Sequence, residues 1–117
     1  MKAYIHAKNN SKEFDGVPED YIKIHQFIDH TKDAFPGMKH RIFLHNSFGI
    51  YIVEQVFGHV ITNSDNKEVC VRTIAEKHIL EDLGFIPSLE DCSKIIEDAD
   101  WLYGSKRPEI KKVIVRQ

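Results

Sequence analysis

The chain has 117 residues, 42% hydrophobic and 29% charged, with a formal charge of −2. That length makes one domain able to bury a core without disulfides, and the composition excludes a disordered chain. The near-neutral balance gives no strong nucleic-acid signal and no pull toward an acidic membrane, and no apolar run is long enough to span a bilayer.

In chain order, "DGVPEDYIKIHQFIDHTKDAF" opens with a turn at Asp15-Gly16, and Pro18 suits the first helical position. At about 100° per residue, Tyr21, Ile24, Phe27, Ile28 and Phe35 share one face of a helix reaching about Ala34. Pro36-Gly37 breaks it. The stretch "MKHRIFLHNSFGIYIVEQVFG" is apolar around nearly its whole wheel, which predicts a central helix buried on all sides and ended by Gly58. Gly49 inside it implies close packing against a neighbour.

The period then changes. Val60-Ile61-Thr62 and Val69-Cys70-Val71 are β-formers, and Asp65-Asn66 between them accepts a positive φ, so a hairpin is expected. Thr73 and Glu76 have capping-box spacing at the start of the next helix, which makes Glu76 structural rather than catalytic, and Gly84 ends that helix. A further helix starts at Ser88 with Asp91 as its box partner, and Ile95 and Ile96 are expected to face inward. In the tail "KRPEIKKVIVRQ", the "VIV" segment reads as a strand that could pair with the hairpin or with "KAYIHA" at the N-terminus. The expected fold is α+β: a mostly helical single domain over 1–117, with about four helices and a small antiparallel sheet.

The segments "HAKNNSKEF", "PEDYIKIH", "HRIFLH", "EQVFG", "ITNSDNKEVCVR" and "EKHILEDLGFIPS" resemble a family of small uncharacterised proteins encoded by bacteriophages and bacteria. The resemblance runs to about Gly104. It departs at the hairpin tip, where that family has Asp-Gly and this chain has Asp65-Asn66; Asn also accepts the left-handed conformation. No activity or site residue carries over. The resemblance implies the cytoplasm of a bacterial host, which fits Cys70 and Cys92, set far apart with no CxxC and no secretory pattern at the start.

Seven histidines are many for this length. His25 and Asp29, and His78 and Asp82, are each four apart, so each pair shares a helix face at the border of its apolar stripe. If the two pairs face one another, they offer two imidazoles and two carboxylates, a set suited to Zn²⁺, Mn²⁺ or Fe²⁺. The bland alternative is two solvated i,i+4 contacts. Glu54, inside the expected buried helix, needs a cationic or metal partner. On one continuous helix, His40 and His45 point about 140° apart and cannot both bind one ion directly.

Other chemistries lack support. There is no Gly-rich phosphate loop or nucleophile elbow, and neither cysteine has a histidine or a basic helix start beside it in sequence. Two readings follow. One is a metal-dependent hydrolase of a phosphoester or nucleotide, with His25, Asp29, His78 and Asp82 as ligands and Glu54 or His45 as acid/base. The other is a non-enzymatic accessory module that captures a host protein or a small ligand, homo-oligomeric assembly being left open.

Overall fold

The computed structural model describes residues 1–106; the expected terminal strand at Val113–Val115 lies outside them. In chain order the described elements are α1 (Ala3–Phe14), α2 (Ile22–Asp29), α3 (Arg41–Leu44), α4 (Ser47–Phe57), β1 (Val60–Thr62), β2 (Glu68–Cys70), α5 (Val71–Leu83) and α6 (Leu89–Ser93). Short 3₁₀ turns flank them at Pro18–Asp20, His30–Asp33, Met38–His40 and Asp100–Lys106. The fold class is the expected one, mostly helical α+β with a two-stranded antiparallel hairpin.

Helix α1 packs on α2 and α5, and α4 closes the layer against α2 and α5. Tyr21, Ile24 and Ile28 from the second segment meet Val71, Ile74, Ala75 and Ile79 of α5, with Ile50 and Val53 of α4 behind them. Ala7 is the fully buried apolar residue of α1. "KAYIHA" is therefore helix rather than strand. Its inward stripe is His6, Ala7 and Asn10, too polar to read as an amphipathic helix from hydrophobicity alone.

The expected central helix is two helices. Chain direction breaks at His45 (φ −85°, ψ 57°) and Asn46 (φ −156°, ψ 175°). Asn46, fully buried, caps α4 by accepting from the Gly49 N–H at 2.8 Å, while its amide donates to the Ile42 carbonyl at 2.8 Å. The kink brings the Leu44 carbonyl over Gly49, where a Cβ would lie 1.8 Å from that oxygen. The close packing expected at Gly49 is thus against the chain's own preceding turn. Nor is α4 buried all round, since Phe48, Tyr51 and Val56 are exposed.

Three further local readings are corrected. Strand β2 runs straight into α5 because the Val71 N–H bonds to the His59 carbonyl. The helix therefore starts before Thr73, and no Thr73–Glu76 box forms; Glu76 meets Arg72 one turn back instead. The Ser88–Asp91 box does form, but its helix stops at Ser93, leaving Ile95 and Ile96 exposed. The Tyr21 helix ends at Asp29 and tightens into a 3₁₀ turn, so Phe35 leaves the buried face.

The hairpin pairs Val60 with Cys70, Ile61 with Val69 and Thr62 with Glu68, and Asn66 takes the left-handed φ of 61° at its tip. Asn63 fastens it to the helices. Its amide donates to the Phe14 carbonyl (3.0 Å) and to Tyr21 Oη (3.1 Å), and its oxygen accepts from the Asp65 and Lys67 N–H groups.

Gly49→Ala is expected to destabilise the protein by about 3 kcal/mol, the upper part of the range for forcing atoms into a packed site. Gly58→Ala, at φ 87° with open space around its Cβ, should cost only about 1–2 kcal/mol. Urea unfolding of the two variants checks the order.

Candidate metal centre

The inward stripes of α1, α2 and α5 each carry a polar group at one level of the core. His6 and Asn10 come from α1, His25 and Asp29 from α2, and His78 and Asp82 from α5. The 3₁₀ turn before α3 adds His40, and the α3–α4 break adds His45. Five of the seven histidines are thereby sealed in the interior, at 0–1% exposure. Buried polar groups on this scale need near-complete pairing, so where each proton sits decides what the cluster can do.

One chain of hydrogen bonds fixes most of the protons. The Asn10 carbonyl oxygen faces His25 Nε2 at hydrogen-bonding distance. An amide oxygen only accepts, so Nε2 carries a hydrogen and, in neutral His25, Nδ1 keeps its lone pair. His25 Nδ1 lies 2.8 Å from His78 Nδ1. The ring centroids are 5.1 Å apart and the planes within 17°, so the rings meet at their nitrogen edges rather than face to face. His78 Nδ1–H therefore donates to His25. His6 stacks on His78 with centroids 3.8 Å apart, and its Nδ1–H donates to Glu81 at 2.6 Å.

This turns His78 Nε2 toward Asp29, His45 and Asp82. Nε2 lies 3.2 Å from each of Asp29 Oδ1, His45 Nε2 and Asp82 Oδ2. His45 Nε2 in turn lies 2.9 Å from Asp82 Oδ2 and 3.4 Å from Asp29 Oδ1. While His78 is neutral its Nε2 keeps a lone pair, so the N–H within this set is that of His45 Nε2, directed at Asp82; a protonated His78 donates a second, to Asp29. His40 adds to the imbalance. Its Nδ1–H donates to the Gly37 carbonyl, so neutral His40 turns a lone pair toward Asp29 Oδ1, 3.8 Å away. Asp29 Oδ2, His40 Nε2 and His45 Nδ1 are buried with no hydrogen-bond partner. Asp82 Oδ1 lacks a well-aligned bond too, although His6 Nε2 (3.2 Å), the Met1 amino group (3.3 Å) and Arg41 Nη2 (3.8 Å) gather around it.

The electrostatics follow the same geometry. Burial is the largest influence on each of these groups and opposes its charged form. For His25, burial and the neighbouring His78 and His6 outweigh the opposing pull of Asp29 and Asp82, pushing the imidazole down to about 2. Burial likewise holds His45 below the ordinary histidine value, despite its bond to Asp82. At His78 the bonds to Asp29 and Asp82 outweigh burial and raise it. Both carboxyls lie below their ordinary value because histidine contacts outweigh burial, at Asp29 chiefly from His78 and at Asp82 from His45, His6 and His78.

The two H-x-x-x-D pairs thus converge, as the helical spacing allows. His78, Asp29 and Asp82 lie together with His45, whereas His25 sits one hydrogen bond behind His78 as its support. His45, read from the sequence as an acid/base, contributes its own Nε2 to the cluster. His40 and His45 both approach Asp29 because the helix that would have separated them is broken. Glu54 is not in the cluster: its carboxylate pairs with exposed His59 at 3.1 Å. His6 and Asn10 were missed, and only the high histidine count hinted at His6; His40, set aside from the sequence as unable to share an ion with His45, lies 3.8 Å from Asp29. Cys70 sits at the start of α5, where the Thr73 N–H and hydroxyl lower its thiol below the usual value; the sequence reading saw no helix start there.

A family model described as a domain of unknown function, DUF6915, matches residues 1–102. No curated protein and no solved structure matches the chain.

Nitrogen-15 correlation spectra of the metal-free protein should show His25 as the Nε2–H tautomer, and Asn10→Leu should abolish that pattern. An Nδ1–H signal at His25 in the unmutated protein would break the relay. Glu54→Ala should change stability by less than about 1 kcal/mol in chemical denaturation, because its partner His59 is exposed and loses little when left alone.

Proposed function

The chain belongs to the DUF6915 family, and from its buried histidine–aspartate cluster we propose that it is a metal-binding protein. Asp29 Oδ1, His45 Nε2, His78 Nε2 and Asp82 Oδ2 would hold one divalent ion, of which Zn²⁺ suits the set best. The observation that carries this reading is metric. Four ligands at 2.0–2.1 Å in a tetrahedron stand about 3.3–3.4 Å from one another. The five separations among these atoms given above run from 2.9 to 3.4 Å. A cation would also satisfy all four atoms together while His78 stays neutral.

Charge and support agree. Two carboxylates neutralise a dication, so the ion enters the dry interior without net charge. The Asn10–His25 relay is the kind of outer support that sets the tautomer of a metal-ligating imidazole. All four donors come from the chain, which closes a tetrahedral shell and leaves no position for a reacting water. This favours a metal-holding protein over the phosphoester hydrolase that the sequence also suggested. No helix of the described residues is long and apolar enough to cross a membrane.

Elemental analysis of the purified protein should find about one zinc per chain, and cobalt(II) substitution should give a tetrahedral visible spectrum. His78→Ala should lose the ion, while His30→Ala, at an exposed ring, should keep it. Uptake should weaken as the pH falls, because protons compete for the imidazole lone pairs. Zinc at a hundred times its dissociation constant should add about 2.7 kcal/mol to stability. A folded protein that takes up neither ion would leave the cluster a purely structural polar network.

A further inference from the structure

From Ile95 to Tyr103 every large apolar side chain is more than half exposed: Ile95, Ile96, Trp101, Leu102 and Tyr103. A concentration of this kind marks an interaction site rather than an ordinary surface. Trp101, the single tryptophan of the chain, stands on a preformed turn. Tyr103 Oη donates to the Asp98 carboxylate, and the Leu102 N–H donates to the Ala99 carbonyl at 3.0 Å. These bonds close Asp98–Tyr103 upon itself and leave Trp101 and Leu102 presented at 64% and 63% exposure.

Close by in the chain is a groove of matching character. Two cavities, of about 410 and 420 Å³, adjoin where α3 meets the end of α6, and Lys39, Ile42 and Ile95 line both. Met38 and Phe85 add exposed apolar surface to the first, and Phe43 to the second. Lys39, common to the two, is exposed and forms no ion pair among the described residues. Glu97 shares the second cavity without coming within ion-pair reach of it. Asp91, in the first, is engaged with Ser88 at the start of α6. Such a groove is complementary to an apolar body with an acidic flank. The turn has that make-up, since Asp98 and Asp100 stand immediately before Trp101, Leu102 and Tyr103.

We infer that the groove receives the Asp98–Tyr103 turn of a second copy of the chain, the two copies exchanging turns about a two-fold axis. Trp101 and Leu102 enter the apolar compartments, and the acids before them meet Lys39. The chain's own turn is badly placed to do this. Ile95 is itself a wall of the groove, and Glu97–Ala99 holds no glycine or proline to reverse the chain before the closed turn begins. Groove and turn are also adjacent in sequence, so a turn seated in the partner brings the partner's turn to the vacated groove. That closes a dimer instead of propagating a filament. Each aromatic insertion buries about 150–250 Å², and reciprocity doubles every contact, which brings the interface toward the roughly 1,200 Å² of a stable one. The inference is independent of the metal reading.

The test is analytical ultracentrifugation of the full chain over a dilution series, with Trp101 fluorescence read on the same samples. The protein should dimerise, and as the dimer fraction rises the emission should move to shorter wavelength and resist iodide quenching in step. Trp101→Asp removes the plug and Ile95→Asp spoils the groove, both at exposed positions, and each should weaken association about thirtyfold or more, as for a hot-spot side chain. Mixed together, the two variants retain one intact junction, so they should associate with each other more tightly than either does with itself. Lys39→Glu should weaken the dimer too, and it carries the test if circular dichroism shows that either aspartate variant fails to fold. A chain that stays monomeric overturns the inference, whether Trp101 is then exposed or covered by its own chain. So does a dimer in which Trp101 stays open to iodide, one that survives these substitutions, or a mixture that associates no better than its components.

Discussion

The in-plane hydrogen bond between His25 and His78 joins α2 to α5 in the middle of the core, and the rest of the interior is arranged around it. It forces the far nitrogen of His78 to face two carboxylates and a third imidazole. Hydrophobic contact alone would let α2 and α5 slide along or rotate about each other at modest cost, because burial is non-directional. A bond between two ring edges does not permit that. It fixes the rotation of both helices, and Asn10 extends the constraint to α1 through His25.

The apolar residues then act as a frame. Ile24 and Ile28 flank His25, and Ile74, Ala75 and Ile79 flank His78, all fully or nearly fully buried. Such walls keep water out and strengthen every interaction inside. The same walls make the layer unforgiving: a buried acceptor without a donor costs about 1–3 kcal/mol, and several remain unpaired here among the described residues. A fold built only for stability would fill these positions with leucine and valine, and replacing buried charged groups that way is often neutral or stabilising. Seven titratable side chains in one layer thus forgo the stability that an apolar filling can give.

What could be read from the sequence was whatever depends on local spacing. The four-residue step in His25–Asp29 and His78–Asp82, the Ser88–Asp91 box and the Asn66 tip all follow from helix or turn geometry and stand in the structure. What was hidden depended on tertiary choice. Helix α1 buries histidine and asparagine where a pattern search expects leucine, so it read as strand. The α3–α4 break rests on Asn46, which looks unremarkable inside an apolar run until its carbonyl oxygen is seen capping Gly49. That one missed break gave a central helix buried all round, and it removed the geometric premise on which His40 and His45 were set apart. Glu54, expected to be buried and paired, is partly buried, and its partner is the exposed His59 rather than a group in the cluster.

Helix α1 is held mainly by polar contacts to residues far along the chain: His6 reaches Glu81 across 75 positions and Asn10 reaches His25 across 15. A helix with one fully buried apolar side chain would ordinarily open at little cost. Here, releasing it removes the acceptor beneath His25 and the ring stacked on His78, so the central layer loses its proton order at the same moment. Local opening of α1 and disruption of the core thus become one event. Such coupling would give the backbone amides of α1 the slow hydrogen exchange expected of the interior.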